Sequence, residues 1–498
     1  MSSKASIYSR CNPQLDKLFE EAGHPARVTC VALDYAKSQH VVLICNGLGD
    51  RLKANFAVDN TATGAAKLLS EVRACAHRRK VRLEHVFFGG EDEPTFAENF
   101  IRKLVEEKFV VVRVNAWEAK KQRDNFQASS DSLDLLGIAR CLLNRRGQLI
   151  QLLPEAYPNL RIATRDRDKI VGMRTGVSNR IHGYVDRLFP GFLSAGKSGL
   201  EPFGKASLDM MEEDRFSPAQ LRRRPRQGLA DWLERRGVEQ PLEKADGLKQ
   251  LAKEALGPAP EQTVTLQRTL AQLVGLYRGF DQSISMLDRE VAYWLARTPG
   301  AWLTSIPGIG ITLAAGWMTE LGPPDQWRAV RQLCSYGGVV PRSKQTGGPE
   351  KEPVVGSVQK RCNKRFKNVV LQAVEKVRQL GPEDLRRTAQ ELEARGAHTE
   401  FAMAKRLVRL AKYLALSGTV YRPKALMDPA TPKATLAAHY QDVWGKLIAK
   451  WREKADLNDV FAPANPLGQW RKMVQELYAL ELRLPAQKAA GKSSASTP

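Results

Sequence analysis

VTCVALDYAKSQHVVLICNGLGDRLKANFAV, residues 28–58, decides how the first part of this chain folds. Val28 to Leu33 is an almost continuous apolar run that ends on an acid, Asp34. After the polar AKSQ comes a second apolar run, HVVLIC, and after the turn NGLGD a third, KANFAV. Short apolar runs bounded by turn residues predict three strands in a meander. Downstream the period changes. TATGAAKLLSEVRACAHRR (61–79) has helical spacing and a Thr at its start. VRLEHVFFGG (81–90) reads as a strand closing on a glycine pair, and PTFAENFIRKLVEEK (94–108) as a helix with Pro near its first position. FVVVRVN (109–115) is another strand, and SSDSLDLLGIARCLLNRR (129–146) a helix with a Ser/Asp cap. The order β-β-β-α-β-α-β-α predicts an α/β domain, a mixed sheet with helices on its faces.

At roughly 100–200 residues per domain, 498 residues make about three or four domains. Lys plus Arg number 77 against 54 for Asp plus Glu, a formal charge of +23. Such a surplus favours a polyanionic partner, DNA or RNA, bound through its phosphates. Hydrophobic residues at 43% exclude a wholly disordered basic tail protein. The seven cysteines are scattered, with no C-x-x-C pair and no zinc-like Cys/His spacing. Free thiols fit a reducing compartment, a cytosol or nucleoid. The N-terminal sequence has no apolar core of a signal peptide, and no run approaches 18 apolar residues, so no membrane span is expected.

Between about 150 and 260 the pattern weakens. RIATRDRDKIVGMRTGVSNRIHGYVDRLFPGF (161–192) reads as a basic amphipathic helix ending at Pro190, followed by Gly/Ser-rich linkers and the run RRRPR at Arg222 to Arg226. Leu266, Leu270, Leu273, Tyr277, Phe280, Ile284, Leu287, Val291 and Trp294 then recur at steps of four and three. That spacing predicts a coiled coil or a long hairpin helix, with Gly275 and Gly279 weakening it. EFAMAKRLVRLAKYLALSGTVYRP (400–423) is a further basic helix, and Pro-punctuated helix follows from about 426 to a low-complexity tail.

Two constellations carry chemistry. Asp34 ends an apolar strand, where a carboxylate is costly unless solvated, paired or metal-bound. Glu91 follows the strand ending in Gly89–Gly90, and Asp131 and Asp134, three apart, share a helix face. In this element order the four acids can converge on one edge of the sheet. Clustered carboxylates repel unless divalent cations sit between them, and Mg²⁺ held by Asp/Glu oxygens serves phosphodiester displacement. Each acid also has an ordinary reading: Asp131 as an N-cap, Asp134 as a first-turn acid facing the helix dipole, Glu91 as one of three adjacent acids with Asp92 and Glu93.

The second constellation begins at LTSIPGIGITLAAGW (303–317), where Leu303, Ile306, Gly308, Gly310 and Ala314 have helix-hairpin-helix spacing. Gly308 and Gly310 let backbone N–H groups approach a phosphate, although a tight helix turn explains the pair equally well. In WRAVRQLCSYGGVVPRSKQTGGPEKEP (327–353) a helix ends at Tyr336, Pro341 stops it, and a polar glycine-rich loop follows. That loop carries Arg342, Ser343 and Thr346, the last with its hydroxyl just before Gly347–Gly348. KRCNKRFKNVVLQAV opens the next helix with Lys360, Arg361, Lys364, Arg365 and Lys367. Such a run is a solvated face, or beside a phosphate-binding hairpin it tracks a nucleic-acid backbone.

These motifs together resemble the DEDD-type insertion-sequence transposases, the bridge-RNA-guided serine recombinases with a RuvC-like domain. The resemblance runs through VALDYAKSQHVVLI, GGEDEPTFAENF, VNAWEAKKQRDNFQASSDSLDLLGIA, SIPGIGITLAAGWMTELG, WRAVRQLCSYGGVVPRSKQTGG and QKRCNKRFKNVVLQA, about residues 27–425 with a weakly matching centre. It implies α/β plus all-α architecture. A leader (1–26) precedes an RNase H-like, RuvC-like domain (27–158), then a basic linker and coiled coil (159–299). A helical transposase domain with the helix-hairpin-helix motif (300–425) and a helical extension with a disordered tail (426–498) follow. It implies Mg²⁺ on Asp34, Glu91, Asp131 and Asp134, and a hydroxyl that attacks a DNA phosphate to give a covalent intermediate. It implies DNA and a guide RNA as partners and a homo-oligomer, dimer or tetramer, with base pairing reading the sequence. Three departures mark a divergent member. The family's Ser-Gly is Thr346–Gly347, with Ser343 as the fallback nucleophile. Its Glu-Ala-Thr-Gly reads Glu91-Asp92-Glu93-Pro94, and its Lys-x-Gly-Asn reads Lys360-Arg361-Cys362-Asn363. A metal-only nuclease or resolvase on the same fold, or a non-catalytic binding derivative, are the rival readings.

Overall fold

The apolar run at 28–34 forms the middle of a sheet. In the computed structural model, which describes residues 12–91, 96–125, 130–213, 216–327, 329–344, 354–358, 362–394 and 399–485, the chain forms two units, Met1–Leu152 and Leu153–Pro498. In the first, β1 (Thr29–Asp34) pairs antiparallel with β2 (Gln39–Asn46), and β2 antiparallel with β3 (Phe56–Asp59). On its other edge β1 pairs parallel with β4 (Val86–Glu91), β4 parallel with β5 (Val110–Val114), and β5 antiparallel with the two-residue β6 (Gln148–Leu149). The sheet order is β3-β2-β1-β4-β5-β6, the mixed sheet expected and consistent with an RNase H-like domain.

Both faces are covered, which is why β1 reads as a continuous rather than alternating run. Val31 and Leu33 face α2 (Ala62–Arg78) and α3 (Glu98–Glu106); Cys30 and Ala32 face α1 (Pro13–Ala22), α4 (Ala116–Lys121) and α5 (Asp131–Leu143). Thr61 caps α2, its hydroxyl accepting from Gly64 N at 3.0 Å. Other boundaries differ from the sequence reading. A 3₁₀ turn at Leu83–His85 delays β4 to Val86, and the strand runs through the glycines to Glu91. Helix α3 begins at Glu98, and Pro94 lies outside the described residues. Ser130, not Asp131, caps α5, accepting from Leu133 N at 3.4 Å, so the Asp131 carboxylate is left for other work. Neither α4 nor β6 was legible in the sequence.

In the second unit two long antiparallel helices, α6 (Ala156–Leu188) and α12 (Pro260–Ala296), join two hydrophobic cores. Gly275 and Gly279 do not interrupt α12; a Cβ at either would meet nothing within 4 Å. The weakly patterned segment folds into α7 (Ala195–Ser198), α8 (Lys205–Glu212), α9 (Pro218–Arg223), α10 (Arg226–Glu234) and α11 (Pro241–Glu254). Helices α8 to α11 share a core with the C-terminal half of α6 and the N-terminal half of α12.

The opposite ends of the pair enter a larger core. It is built from α13 (Ile311–Leu321), α14 (Val330–Tyr336), α15 (Lys364–Leu380), α16 (Glu383–Ala394) and α17 (Thr399–Ser417). Helices α18 (Lys433–Trp451), α19 (Leu457–Val460) and α20 (Pro466–Tyr478) of the C-terminal extension belong to the same core. Pro341 does not open an unstructured loop directly: β7 (Pro341–Lys344) and β8 (Val354–Val358) pair as an antiparallel ribbon. Among the described residues no helix is long and apolar enough to cross a membrane.

Candidate acidic site and glycine turn

Asp34 and Glu91 are the last residues of β1 and β4, neighbouring parallel strands whose register pairs Leu33 with Gly90. Both carboxylates therefore leave the same edge of the sheet. Gly89 lets α5 approach the sheet, and Gly90 lets the Tyr35 ring pack on the opposite face. A Cβ at Gly89 would meet Leu142 of α5 at 2.4 Å, and one at Gly90 would meet the Tyr35 ring at 2.2 Å and the Leu33 carbonyl at 2.6 Å. Leu135, Ile138, Cys141 and Leu142 bury the inner face of α5, so its N-terminal turn, with Asp131 and Asp134, lies in the field of the strand-end acids.

The electrostatics of Asp34 record the meeting. Burial first, then Asp134, Glu91 and Asp131, push its carboxyl up to about 6, against a lowering pull from Arg123. Glu91 is also raised, by burial first and by Asp134, with Arg123 again opposing. Its buried Oε1 has no hydrogen-bond partner. Asp134 is ion-paired: the Arg123 guanidinium lies 2.5 Å from its carboxylate, with the two side chains 9% and 18% exposed. Sequence reasoning missed Arg123, because in KKQRD it looks like one more solvated base.

Among the described residues no three His, Cys, Asp or Glu side chains are gathered into a ready ligand set. The donor chemistry nonetheless fits a hard divalent cation. All four groups are carboxylates, the other three raise the proton affinity of Asp34, and the buried Oε1 of Glu91 is unsatisfied.

In the second unit Gly308 adopts φ +89°, and a Cβ there would meet the Lys376 carbonyl at 2.7 Å. Gly310 is the N-cap of α13, open on the side where a Cβ would stand. The element before the turn is a 3₁₀ helix, Pro299–Ser305. The extension fixes this turn. The buried ammonium of Lys450 donates to the carbonyls of Thr304 and of Ile309, the latter at 2.7 Å. Trp451 Nε1 donates to Thr304 Oγ1 at 3.1 Å. Burial pushes Lys450 down to about 8.

The basic run is not beside the turn. Gly308 packs on Lys376, whereas Lys364 and Arg365 stand exposed in the first turn of α15. Twelve residues separate Lys364 from Lys376, about 18 Å at 1.5 Å per residue. Lys367 is half-buried. Arg342 and Ser343 lie on β7, with Ser343 in register with Val355; Lys360, Arg361 and Thr346 lie outside the described residues.

A polar hub that the sequence did not announce sits where α15 begins. Asn363 caps the helix, accepting from Phe366 N at 2.9 Å, and its Nδ2 donates to Glu320 at 2.7 Å and Tyr336 Oη at 2.6 Å. Glu320, 4% exposed, is neutralised by Arg165 of α6 at 3.2 Å.

Known proteins match both units. Residues 31–190 match the DEDD transposase family of IS110 type, described as a transposase, and residues 300–389 match the transposase IS116/IS110/IS902 family. A relative is the insertion element IS116 uncharacterized 44.8 kDa protein of Streptomyces clavuligerus, 26% identical over 201 residues. The match takes in 39% of this chain and 48% of the relative, so the chain spans about half that protein's length.

Proposed function

From the premise that this chain belongs to the IS116/IS110/IS902 family of DEDD transposases, we propose that it cuts and rejoins DNA through a hydroxyl nucleophile and carboxylate-held Mg²⁺. The observation that carries the reading is the meeting of Asp34 and Glu91, on adjacent strand ends, with the acid-bearing first turn of α5. Asp34, Glu91, Asp131 and Asp134 are the residues that hold the metal. When bound, Mg²⁺ supplies charge to a phosphate and favours the ionised form of an attacking hydroxyl.

The chain's own groups do the rest. Thr346 Oγ1 attacks the phosphorus: one P–O bond forms to the protein, one P–O bond of the DNA breaks, and the departing DNA oxygen takes a proton. Reversal of the same step on a second strand end rejoins the DNA, so the phosphodiester energy is kept and no nucleotide is consumed. Ser343, three residues earlier, is the alternative nucleophile.

Exposed Lys364 and Arg365, with Arg342, Lys360, Arg361 and Lys367, contact the phosphate backbone, in keeping with the net charge of +23. Gly308 and Gly310 present amides to phosphate in a helix-hairpin-helix manner, and the α6–α12 pair acts as the coiled coil of a homo-oligomer. A guide RNA pairs with the DNA and reads its sequence, in the bacterial cytoplasm at the nucleoid. A second reading, a metal-only nuclease using water, gains support from the threonine where the family has serine.

The test is a protein–DNA adduct that survives SDS, sought in cells carrying the native flanking DNA and mapped by mass spectrometry. An adduct on Thr346, absent in Asp34→Ala and Thr346→Ala, is the expected result. Mg²⁺-dependent cuts with no adduct in any sample would replace it with the water mechanism.

A further inference from the structure

We infer that Arg123 is a built-in counter-cation of the acidic site: it holds the site in its metal-free form and competes with a divalent cation for Asp134. This rests on the metal reading above and adds a residue to it.

The berth of Arg123 is constructed. Its two chain neighbours are held, since Arg140 of α5 donates to the Gln122 carbonyl at 2.8 Å and to Asp124 at 2.6 Å. With Gln122 and Asp124 fastened on either side, Arg123 is turned inward, 9% exposed. Its stem passes over Gly137. A Cβ there would lie 3.1 Å from Arg123 Cγ and 2.3 Å from the Ala119 carbonyl, so α5 has a gap in its side-chain surface where the arginine crosses. The guanidinium ends on Asp134, and its positive charge reaches Asp34 and Glu91 as well.

This arrangement explains why four mutually repelling acids stay near one another without three of them forming a ligand set among the described residues. A guanidinium is a flat fork that bonds at its rim. It can neutralise Asp134 but cannot draw several carboxylates around one centre, and the inner oxygen of Glu91 stays unsatisfied. A small divalent cation can gather them. Two positive charges on the same carboxylate repel, so arginine and metal compete for Asp134, and metal uptake is reduced by the fraction of molecules in which the arginine is in place.

The experiment is titration calorimetry of the full chain, stripped with EDTA, with Mg²⁺ alone. Arg123→Met is compared with the unmodified protein, Arg123→Lys and Asp34→Asn, and each melting temperature is recorded with and without Mg²⁺. The inference expects Arg123→Met to bind Mg²⁺ about tenfold more tightly, to melt lower without metal, and to gain more from its addition. Arg123→Lys, a point charge without the fork, falls between. Damage to the site would weaken binding, so tighter binding is a signature that a merely structural role does not produce. If the unmodified protein binds Mg²⁺ and Arg123→Met binds equally or less well, the counter-cation role is wrong and the metal site stands. Should neither protein bind Mg²⁺, the metal reading itself falls. If Arg123→Met does not fold, Arg123→Lys binding no tighter than the unmodified protein overturns the inference.

Discussion

Replacing Lys450 with Met tests whether the C-terminal extension holds the glycine turn through a buried charge. The ammonium is held by two backbone carbonyls, those of Thr304 and Ile309. Removing it orphans both, at about 1–3 kcal/mol each. Against that stands the cost of burying the charge. A fall from the ordinary 10.5 to about 8 corresponds to about 3 kcal/mol, at about 1.4 kcal/mol per unit. The terms nearly offset, so at pH 7 Lys450→Met should lose no more than about 3 kcal/mol, far less than a buried charge pair that loses one partner.

The pH dependence separates the terms. Because the folded value lies below the unfolded one, the burial cost is fully present below about 8 and disappears as pH rises toward 10.5. Between those limits the unfolded chain binds the proton and the folded chain does not, so stability rises with pH. The unmodified protein should therefore gain up to about 3 kcal/mol relative to Lys450→Met between pH 7.5 and 10. Urea titrations followed by tryptophan fluorescence suit the question, since eight of the nine tryptophans, Trp451 among them, lie beyond Leu152. A stability difference that does not change with pH would mean that Lys450 is not held as a buried cation, and the brace argument would fail.

Two further outcomes concern the acidic site. Asp34 has its folded value raised to about 6, so in EDTA its ionisation removes stability as pH rises from about 4 through 6. Asp34→Asn should match the unmodified protein at pH 4.5 and exceed it at pH 7.5, by about 1 kcal/mol after discounting for solvent screening at a half-buried group; equal denaturation midpoints at both pH values would remove the case for mutual repulsion. Gly90→Ala places a methyl 2.2 Å from the Tyr35 ring, so the sheet should lose about 1–3 kcal/mol. Mg²⁺ binding should weaken with it because Asp34 and Glu91 shift apart, and a variant with unchanged melting temperature and metal affinity would show that the close approach is not needed.

What the sequence disclosed and what it hid have physical causes. Asp34 was legible because an apolar strand ending in an acid contradicts its own pattern, and Thr61 because a hydroxyl opening an apolar-periodic segment has one economical use. Arg123 was not legible: a base among KKQRD becomes internal only when Gly137 leaves room for its stem. Lys450 was hidden for the same reason. In GKLIAKW it sits at a polar helical position, and its partners lie more than 140 residues earlier in the chain. Helices α8 to α11 were illegible because each is short, and most of their apolar surface is satisfied by one another and by the ends of α6 and α12.

The long pair shows where a periodic pattern says too much. The heptad stripe of α12 is buried at its ends, with Leu266, Leu270 and Leu273 in one core and Val291, with the partly buried Trp294, in the other. Between them Ile284 is buried, but Tyr277, Phe280 and Leu287 are only half-buried, and the flanking Leu276 and Met286 are 55% and 71% exposed. Charge adds to the register there: Arg174 pairs with Asp281, and Arg167 with Asp288. Lys454 of the extension reaches Asp288 as well, at 2.5 Å. These pairs sit on the same register as the apolar contacts, so one antiparallel alignment satisfies both. An exposed ion pair contributes little to stability, about 0–1 kcal/mol, but sliding α12 by one turn would separate Asp288, 11% exposed, from both cations. Unpairing a charge that deeply placed costs several kcal/mol. The heptads thus supply attraction at the two ends, and Asp288 adds to the alignment between them.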